Sequence, residues 1–260
     1  MIAVIGAGAM GEALMAGWIA AGTSPDEIVA VDQDTDRLAR LRERRGVRSV
    51  EVSGVSVAEV VVVAVKPHHV ATALTDVAPH LGPNAVIVSV AAGVTLARLA
   101  EVLPEGQPVI RVMPNTPALV GKGVAGLATG PTVTPEQTAR VAGMMEAVGT
   151  CVELPESQFD ALTAISGSGP AYLFLIAEAM IEAGVHQGLG RDVATKLVNG
   201  TFAGAAAMLE GVDASATELR ERVTSPAGTT AAALRVLDER AIRAAFLAAV
   251  EACARRSSEL

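Results

Sequence analysis

The chain has 260 residues, 51% of them hydrophobic and 18% charged, with a formal net charge of −8. That length suits one large domain or two ordinary ones, and so much apolar content excludes a disordered chain. The acidic balance argues against a protein that grips nucleic acid over its whole surface.

Met1 leads straight into "IAVIG" (2–6), a short β-branched strand, with no basic stretch before it, so no signal peptide is expected. A cleaved leader here would also discard the glycine turn that follows. Gly6, Gly8 and Gly11 form a Gly-x-Gly-x-x-Gly turn between that strand and a helical stretch, the context of a dinucleotide-binding turn. Gly6 permits the tight turn, Gly8 lets backbone amides approach a pyrophosphate, and Gly11 permits close helix–strand packing. The helix amino terminus adds partial positive charge. The rival is a glycine-rich turn that binds nothing, and the flanking pattern weighs against it.

The second strand, "IVAVD" (28–32), ends in Asp32, 21 residues after Gly11. An acid there accepts hydrogen bonds from the adenosine ribose hydroxyls and repels a 2′-phosphate, which favours NADH over NADPH. A strand-end Asp also serves as a turn or cap residue, and Arg37 stands near enough to meet a phosphate. The basic run "RLARLRERRGVR" (37–48) suits a solvated helix face better than a nucleic-acid arm.

Further strands follow at "VVVVAV" (60–65), "VIVSV" (86–90) and "VIRVMP" (109–114), with "VAGLATG" (124–130) and "CVEL" (151–154) expected near the sheet edge. Continuous apolar strands alternating with helices indicate an α/β fold, a parallel, doubly wound sheet covered on both faces. The stretch 134–149 reads as a capped helix, with Thr134 as N-cap, Pro135 at the first position and Gln137 at the third. The runs "VSVAEVVVVAV" and "AYLFLIA" fall short of the ~18 residues of a membrane span, so no membrane partner is expected.

Three strand ends carry small or polar loops where doubly wound sheets bind ligands. "AVKPHHV" (64–70) places Lys66 and Pro67 there, "SVAAGVT" (89–95) leaves room for a flat nicotinamide, and "MPNTPALVGKG" (113–123) offers the amide of Asn115. Each alone could be an ordinary β–α loop.

After Pro155 the strand signals stop, which divides the chain into a dinucleotide-binding domain (1–155) and a helical domain (156–260). The helix "AYLFLIAEAMIEAGV" (171–185) is apolar all round except along Glu178, Glu182 and His186, the pattern of a helix buried on several sides. In "LVNGTFAGAAAMLEG" (197–211), Gly200, Ala203, Gly204 and Ala207 let another helix approach closely. About a hundred residues of such helices cannot hide that surface alone, and self-association is the outlet.

Within this half "SGSGPAY" (166–172) and "VTSPAGTTAAAL" (223–234) place Ser, Gly, Pro and Thr where helix formers are preferred. The second sets Gly228 and two threonines at a helix start, where free amides can hold a carboxylate. Helix–helix corners with capping hydroxyls are the plainer alternative. A hydrolase built on Ser168 is disfavoured, since the Gly-x-Ser-x-Gly elbow is missing. Cys151 and Cys253 read as reduced structural thiols of a cytoplasmic protein, and the four histidines form no ligand pattern, so no metal is expected.

"MPNTPALVG", "SGSGPAY" and "VTSPAGTTAAALRVLDE", in this order behind "GAGAMGEAL", closely resemble the pyrroline-5-carboxylate reductase family over essentially the whole chain. The resemblance implies a Rossmann-type domain followed by an all-α dimerisation domain, often built into larger rings of dimers. It implies reduction of 1-pyrroline-5-carboxylate to L-proline, the last step of proline biosynthesis, by NADH or NADPH. By position, Gly6, Ala7, Gly8, Ala9, Met10 and Gly11 would hold the pyrophosphate. Ala64, Val65, Lys66 and Pro67, with Ala91 and Ala92, would line the nicotinamide side. Asn115 would face the active site. Ser225, Gly228, Thr229 and Thr230 would receive the small-molecule substrate, with the Thr230 hydroxyl near the imine nitrogen as the catalytic group, on helices contributed partly by a second subunit. The chain departs from the family pattern at Ala227, where many members have glycine, and at Glu51, where members often offer an asparagine to the cofactor. Two other readings share the scaffold: a noncatalytic dinucleotide-sensing dimer, and a reductase of a related cyclic imine acid such as the six-membered homologue.

Overall fold

The computed structural model describes residues 1–259. Its first part alternates strands and helices: β1 (Ile2–Ile5), α1 (Ala9–Ala20), β2 (Ile28–Val31), α2 (Thr35–Arg45), β3 (Arg48–Ser49), β4 (Val60–Val63), α3 (Val70–Val77), β5 (Val86–Ser89), α4 (Leu96–Ala100), β6 (Val109–Met113), β7 (Gly123–Thr129), α5 (Pro135–Glu146) and β8 (Gly149–Glu153). The sheet order is β3-β2-β1-β4-β5-β6-β7-β8. The order therefore reverses between β1 and β4, and crevices at such reversals hold ligands in open α/β sheets.

The apolar strands work by alternation across two faces. Val4, Ile28, Ala30, Val60, Val62, Val88 and Ile110 pack on one side with Leu14, Met15 and Trp18 of α1 and with Val141 and Met145 of α5. Ala3, Ile5, Val29, Val61, Val63 and Ile87 pack on the other with Val70, Leu74 and Val77 of α3 and Leu99 of α4. Trp18, fully buried, satisfies its indole N–H on the Met144 carbonyl at 2.8 Å. The capped start of α5 is as expected, with Thr134 and Gln137 exchanging side-chain and backbone hydrogen bonds and Pro135 at the first position.

The sheet corrects the expectation of a wholly parallel arrangement, because β7 runs antiparallel to β6, with Ile110 opposite Thr129 and Met113 opposite Gly126. Only residues 114–122, which include the turn Thr116–Val120, separate them, too little chain for a parallel crossover, which takes a dozen or more residues. β8 then returns parallel to β7 through α5.

By packing, the chain forms two units: Met1–Ser168 together with the described residues from Cys253 onward, and Gly169–Ala252. The sheet-bearing unit thus extends past the boundary expected at 155. The reason lies in α6 (Phe159–Leu162) and the π-turn Thr163–Gly167, where Phe159 and Ala164 are buried. The end of the chain closes on the same segment, Ser257 donating to Asp160 Oδ1 at 2.7 Å and Cys253 Sγ lying 3.2 Å from Ser168 Oγ.

The remaining helices are α7 (Gly169–His186), α8 (Arg191–Gly211), α9 (Ala216–Arg222), α10 (Thr229–Glu239) and α11 (Ile242–Ser258). Helices α7 and α8 approach closely where a Cβ on Gly184 would lie 3.1 Å from the Ala194 methyl. Beyond that contact little is covered. The expected burial of α7 is not met within one chain: none of its residues is buried, and Leu173, Phe174 and Leu175 are more than half exposed. Gly200 and Gly204 on α8 likewise face open space. The helical run Glu156–His186 is also, by length and composition, apolar enough to cross a membrane, because helix continues through the glycines and serines of 166–169.

Candidate active site

The glycine turn is built on close backbone contacts. Gly6 donates to the Val31 carbonyl at 2.8 Å and sits at φ +98°, a conformation L side chains rarely adopt. A Cβ on Gly6 would meet the Ala64 carbonyl group at 2.9 Å, and one on Gly11 would lie 2.1 Å from the Gly6 oxygen. Gly8 is different: a Cβ there would point into open space. It is the N-cap of α1 and no side chain caps the helix, so the amides that follow lack intrahelical partners. A cradle open at Gly8, closed at Gly6 and Gly11 and rimmed by helix-start amides fits a pyrophosphate.

Asp32 is tied into this turn. Its Oδ2 accepts from the Ala7 amide at 2.7 Å and its Oδ1 from the Asp34 amide at 2.9 Å. Arg37 Nη1 lies 3.1 Å from Asp32 Oδ2, and Arg37 Nη2 lies 3.3 Å from Asp34 Oδ2. Burial pushes the Asp32 carboxyl up, but the Asp34 and Ala7 amides and the Arg37 guanidinium outweigh it and hold it below its ordinary value. Asp32 is thus an ionised acceptor, and Arg37 is shared between two carboxylates.

The other expected residues of this unit gather along the carboxyl ends of the same strands. Ala64 and Val65 follow β4 half-buried, and Lys66 and Pro67 are exposed at the turn leading into α3. Ala91 is buried and Ala92 half-buried after β5. Asn115, after β6, is 7% exposed, and its amide is engaged at both ends: Nδ2 donates to the Ser166 carbonyl at 3.0 Å and Oδ1 accepts from the Val124 amide at 2.8 Å. A buried amide must find such partners. It therefore clips "SGSGPAY" and the start of β7 in place.

Ser225, Gly228, Thr229 and Thr230 come together in the helical unit, around the start of α10. Gly228 is the N-cap, no side chain caps the helix, and the Gly228 amide donates to the Ser225 carbonyl at 3.0 Å. A Cβ on Gly228 would lie 2.3 Å from Ser225 Oγ and 3.1 Å from the Ser225 carbonyl oxygen, so a side chain there would force the serine hydroxyl to turn away. Ala227 sits at φ +56°, in the left-handed region that favours glycine. Thr230, at the second helical position, is half-exposed and is not the cap.

Sequence reasoning passed over Arg111 and Glu156. Arg111 Nη1 lies 2.9 Å from Glu156 Oε1, its side chain 7% exposed. The available signal was a charged residue in the middle of the apolar strand "VIRVMP". Among the described residues, no three His, Cys, Asp or Glu side chains converge as a metal site.

Comparison with known proteins places this arrangement. Residues 156–260 match the family described as pyrroline-5-carboxylate reductase dimerisation, and residues 1–93 the family described as NADP oxidoreductase, coenzyme F420-dependent. The pyrroline-5-carboxylate reductase of Corynebacterium melassecola is 46% identical over 100% of this chain and 98% of its own. That of Escherichia coli is 36% identical over 100% and 97%. Among solved structures, the Coxiella burnetii reductase superposes with a TM-score of 0.95 at 36% identity, covering 99% of this chain and 97% of that one. The Plasmodium falciparum pyrroline carboxylate reductase with NADP bound gives 0.86 at 28% identity, covering 99% and 97%. The helical half is accordingly a dimerisation domain, and the cofactor is a nicotinamide dinucleotide. The chain belongs to the pyrroline-5-carboxylate reductase family, NAD(P)-dependent oxidoreductases acting on a cyclic imine.

Proposed function

We propose that the protein reduces 1-pyrroline-5-carboxylate to L-proline, with Thr230 as the catalytic hydroxyl and NADH used at least as well as NADPH. The observation that carries this reading is the start of α10. Glycine caps the helix there, Thr230 is not needed as a cap, and the first-turn amides remain available for a carboxylate.

When bound, the reduced nicotinamide would supply hydride to the carbon of the C=N bond of the protonated substrate; C=N becomes C–N, and the nitrogen keeps the proton it took from solvent before the transfer. An iminium carbon is already electrophilic, so the chain has to provide position, a hydrogen bond to nitrogen and exclusion of water. Thr230 provides the hydrogen bond. Gly228 and Thr229, with Ser225 beside them, hold the substrate carboxylate. Gly6 to Gly11 hold the pyrophosphate, and Ala64 to Pro67 with Ala91 and Ala92 form the nicotinamide side.

The preference for NADH rests on charge. Arg37 contributes one positive charge against the two negative charges of Asp32 and Asp34. The net of −1 suits an uncharged ribose and opposes a 2′-phosphate.

The exposed apolar face of α7 and the small-residue face of α8 are covered by a second copy, in an oligomer built from dimers, and not by lipid. The dimerisation-family match over the same residues supports this, as do Glu178 and Glu182 on the apolar helix. The protein works in the cytoplasm, without nucleic-acid or membrane partners. Steady-state assays pairing both dinucleotides with 1-pyrroline-5-carboxylate and its six-membered homologue test the proposal. The expected result is the highest kcat/KM for the five-membered ring with NADH. Turnover of the six-membered imine alone would overturn it.

A further inference from the structure

The ion pair between Arg111 and Glu156 has no part in the site described above, yet one carboxylate oxygen joins three segments. Glu156 Oε1 accepts from Arg111 Nη1 at 2.9 Å and from the Leu96 amide at 2.7 Å. The Arg111 guanidinium also lies over the Phe159 ring, 4.5 Å from its centroid. Arg111 is anchored by the sheet, in register with Ser89 of β5 and Ala128 of β7.

Leu96 ends the loop that leaves β5 and carries Ala91 and Ala92. The near end of this loop is held by the strand and by the Ala91 amide, which donates to Ser89 Oγ at 3.4 Å. Between the two ends Gly93 turns the chain at φ +75°. The far end is held from the side by Glu156, at the first residue of the segment matched to the dimerisation family. A buried arginine fixes the height of its partner carboxylate, and that carboxylate fixes Leu96.

We propose that Arg111 and Glu156 are positioning residues for the dinucleotide: they set the Ala91–Ala92 loop against the sheet edge so that the nicotinamide half can lie on it. The proposal rests on the reading that Ala91 and Ala92 line the nicotinamide side. It separates two halves of one ligand. Loosening the loop weakens binding of the nicotinamide half and leaves the ADP-ribose half, held at the glycine turn, untouched.

The test is calorimetric titration of the full chain with NADH and, separately, with ADP-ribose, alongside melting curves. Glu156→Gln keeps the shape and removes the charge that holds Arg111. The expected result is NADH affinity lower by roughly tenfold, with ADP-ribose affinity unchanged. A purely structural pair would instead lower the melting temperature and leave both affinities alone, or weaken both ligands equally, and either result overturns the proposal. Should Glu156→Gln fail to fold, Arg111→Lys, which keeps the charge while shortening the reach, is read by the same criteria. Ala92→Leu tests the underlying reading by adding bulk to the loop. If it weakens NADH alone while the Glu156 and Arg111 variants bind normally, the positioning role fails and the site stands. If Ala92→Leu binds NADH normally, the site reading fails and the positioning role falls with it.

Discussion

The Ala7 amide donates to Asp32 Oδ2 at 2.7 Å, so the acid proposed to read the ribose is bonded to the turn proposed to hold the phosphates. On the proposed reading, cofactor choice and turn geometry are therefore coupled. Asp32→Ser removes the charge and keeps a small polar group, which frees Arg37 to meet a 2′-phosphate. The expected outcome is a shift of the NADH-to-NADPH ratio of kcat/KM toward NADPH by roughly tenfold, or ~1.4 kcal/mol. Asp32→Asn, which can still accept from the Ala7 amide, should shift the ratio with less loss of total activity. A wild-type preference of about tenfold for NADPH would show that Asp32 does not set the choice.

Thr230 is separable into chemistry and packing. Thr230→Ala should lower kcat/KM by roughly ten- to a hundredfold, one or two hydrogen-bond increments of ~1.4 kcal/mol. Thr230→Ser should keep most activity, and Thr230→Val should behave like the alanine variant, because the shape is retained while the hydroxyl is lost. Kinetics and melting temperature on the same three proteins decide it. A valine variant with wild-type kcat/KM removes Thr230 from the mechanism.

Ala227 pays a conformational penalty at φ +56°. A left-handed non-glycine residue costs roughly 1–2 kcal/mol, and glycine's extra freedom in the unfolded chain returns roughly 0.5–1 of it. Ala227→Gly should therefore stabilise the protein by up to ~1.5 kcal/mol. Thermal unfolding of the two forms side by side checks this, and a lower melting temperature for the glycine variant contradicts it.

Much of this was legible in residues whose physics is local. The glycine turn, the capped α5 and the continuous apolar strands covered on both faces follow from short-range sterics and local composition, and all appear where the sequence indicates. The start of α10 at Thr229 was readable because Gly228 and the threonines announce a helix end. What was not legible depends on partners far along the chain. Asn115 finds Ser166 and Val124, and Arg111 finds Glu156, only once the strands are assembled. The reversal of β7 follows from the shortness of one connection, which apolar pattern alone does not register. The apolar shell of α7 signalled burial that one chain does not supply, and the cover proposed for it is a second copy.

That cover gives a direct prediction of assembly. With Leu173, Phe174 and Leu175 exposed on α7 and open space beside Gly200 and Gly204 on α8, the chain should sediment as a dimer or a multiple of dimers. A charged residue at Phe174 should weaken that assembly while the sheet-bearing unit still binds ADP-ribose. A stable 26.4 kDa monomer at micromolar concentration contradicts the assignment.

The central claim, hydride transfer to a five-membered cyclic imine, is tested most directly by isotope transfer. NADH doubly deuterated at its hydride-donating carbon is incubated with the protein and 1-pyrroline-5-carboxylate, and the product is isolated and examined by mass spectrometry and NMR. The account predicts L-proline carrying one deuterium, on the ring carbon that had been part of the C=N bond. Proline without deuterium, or no proline at all while the dinucleotide still binds, would contradict it.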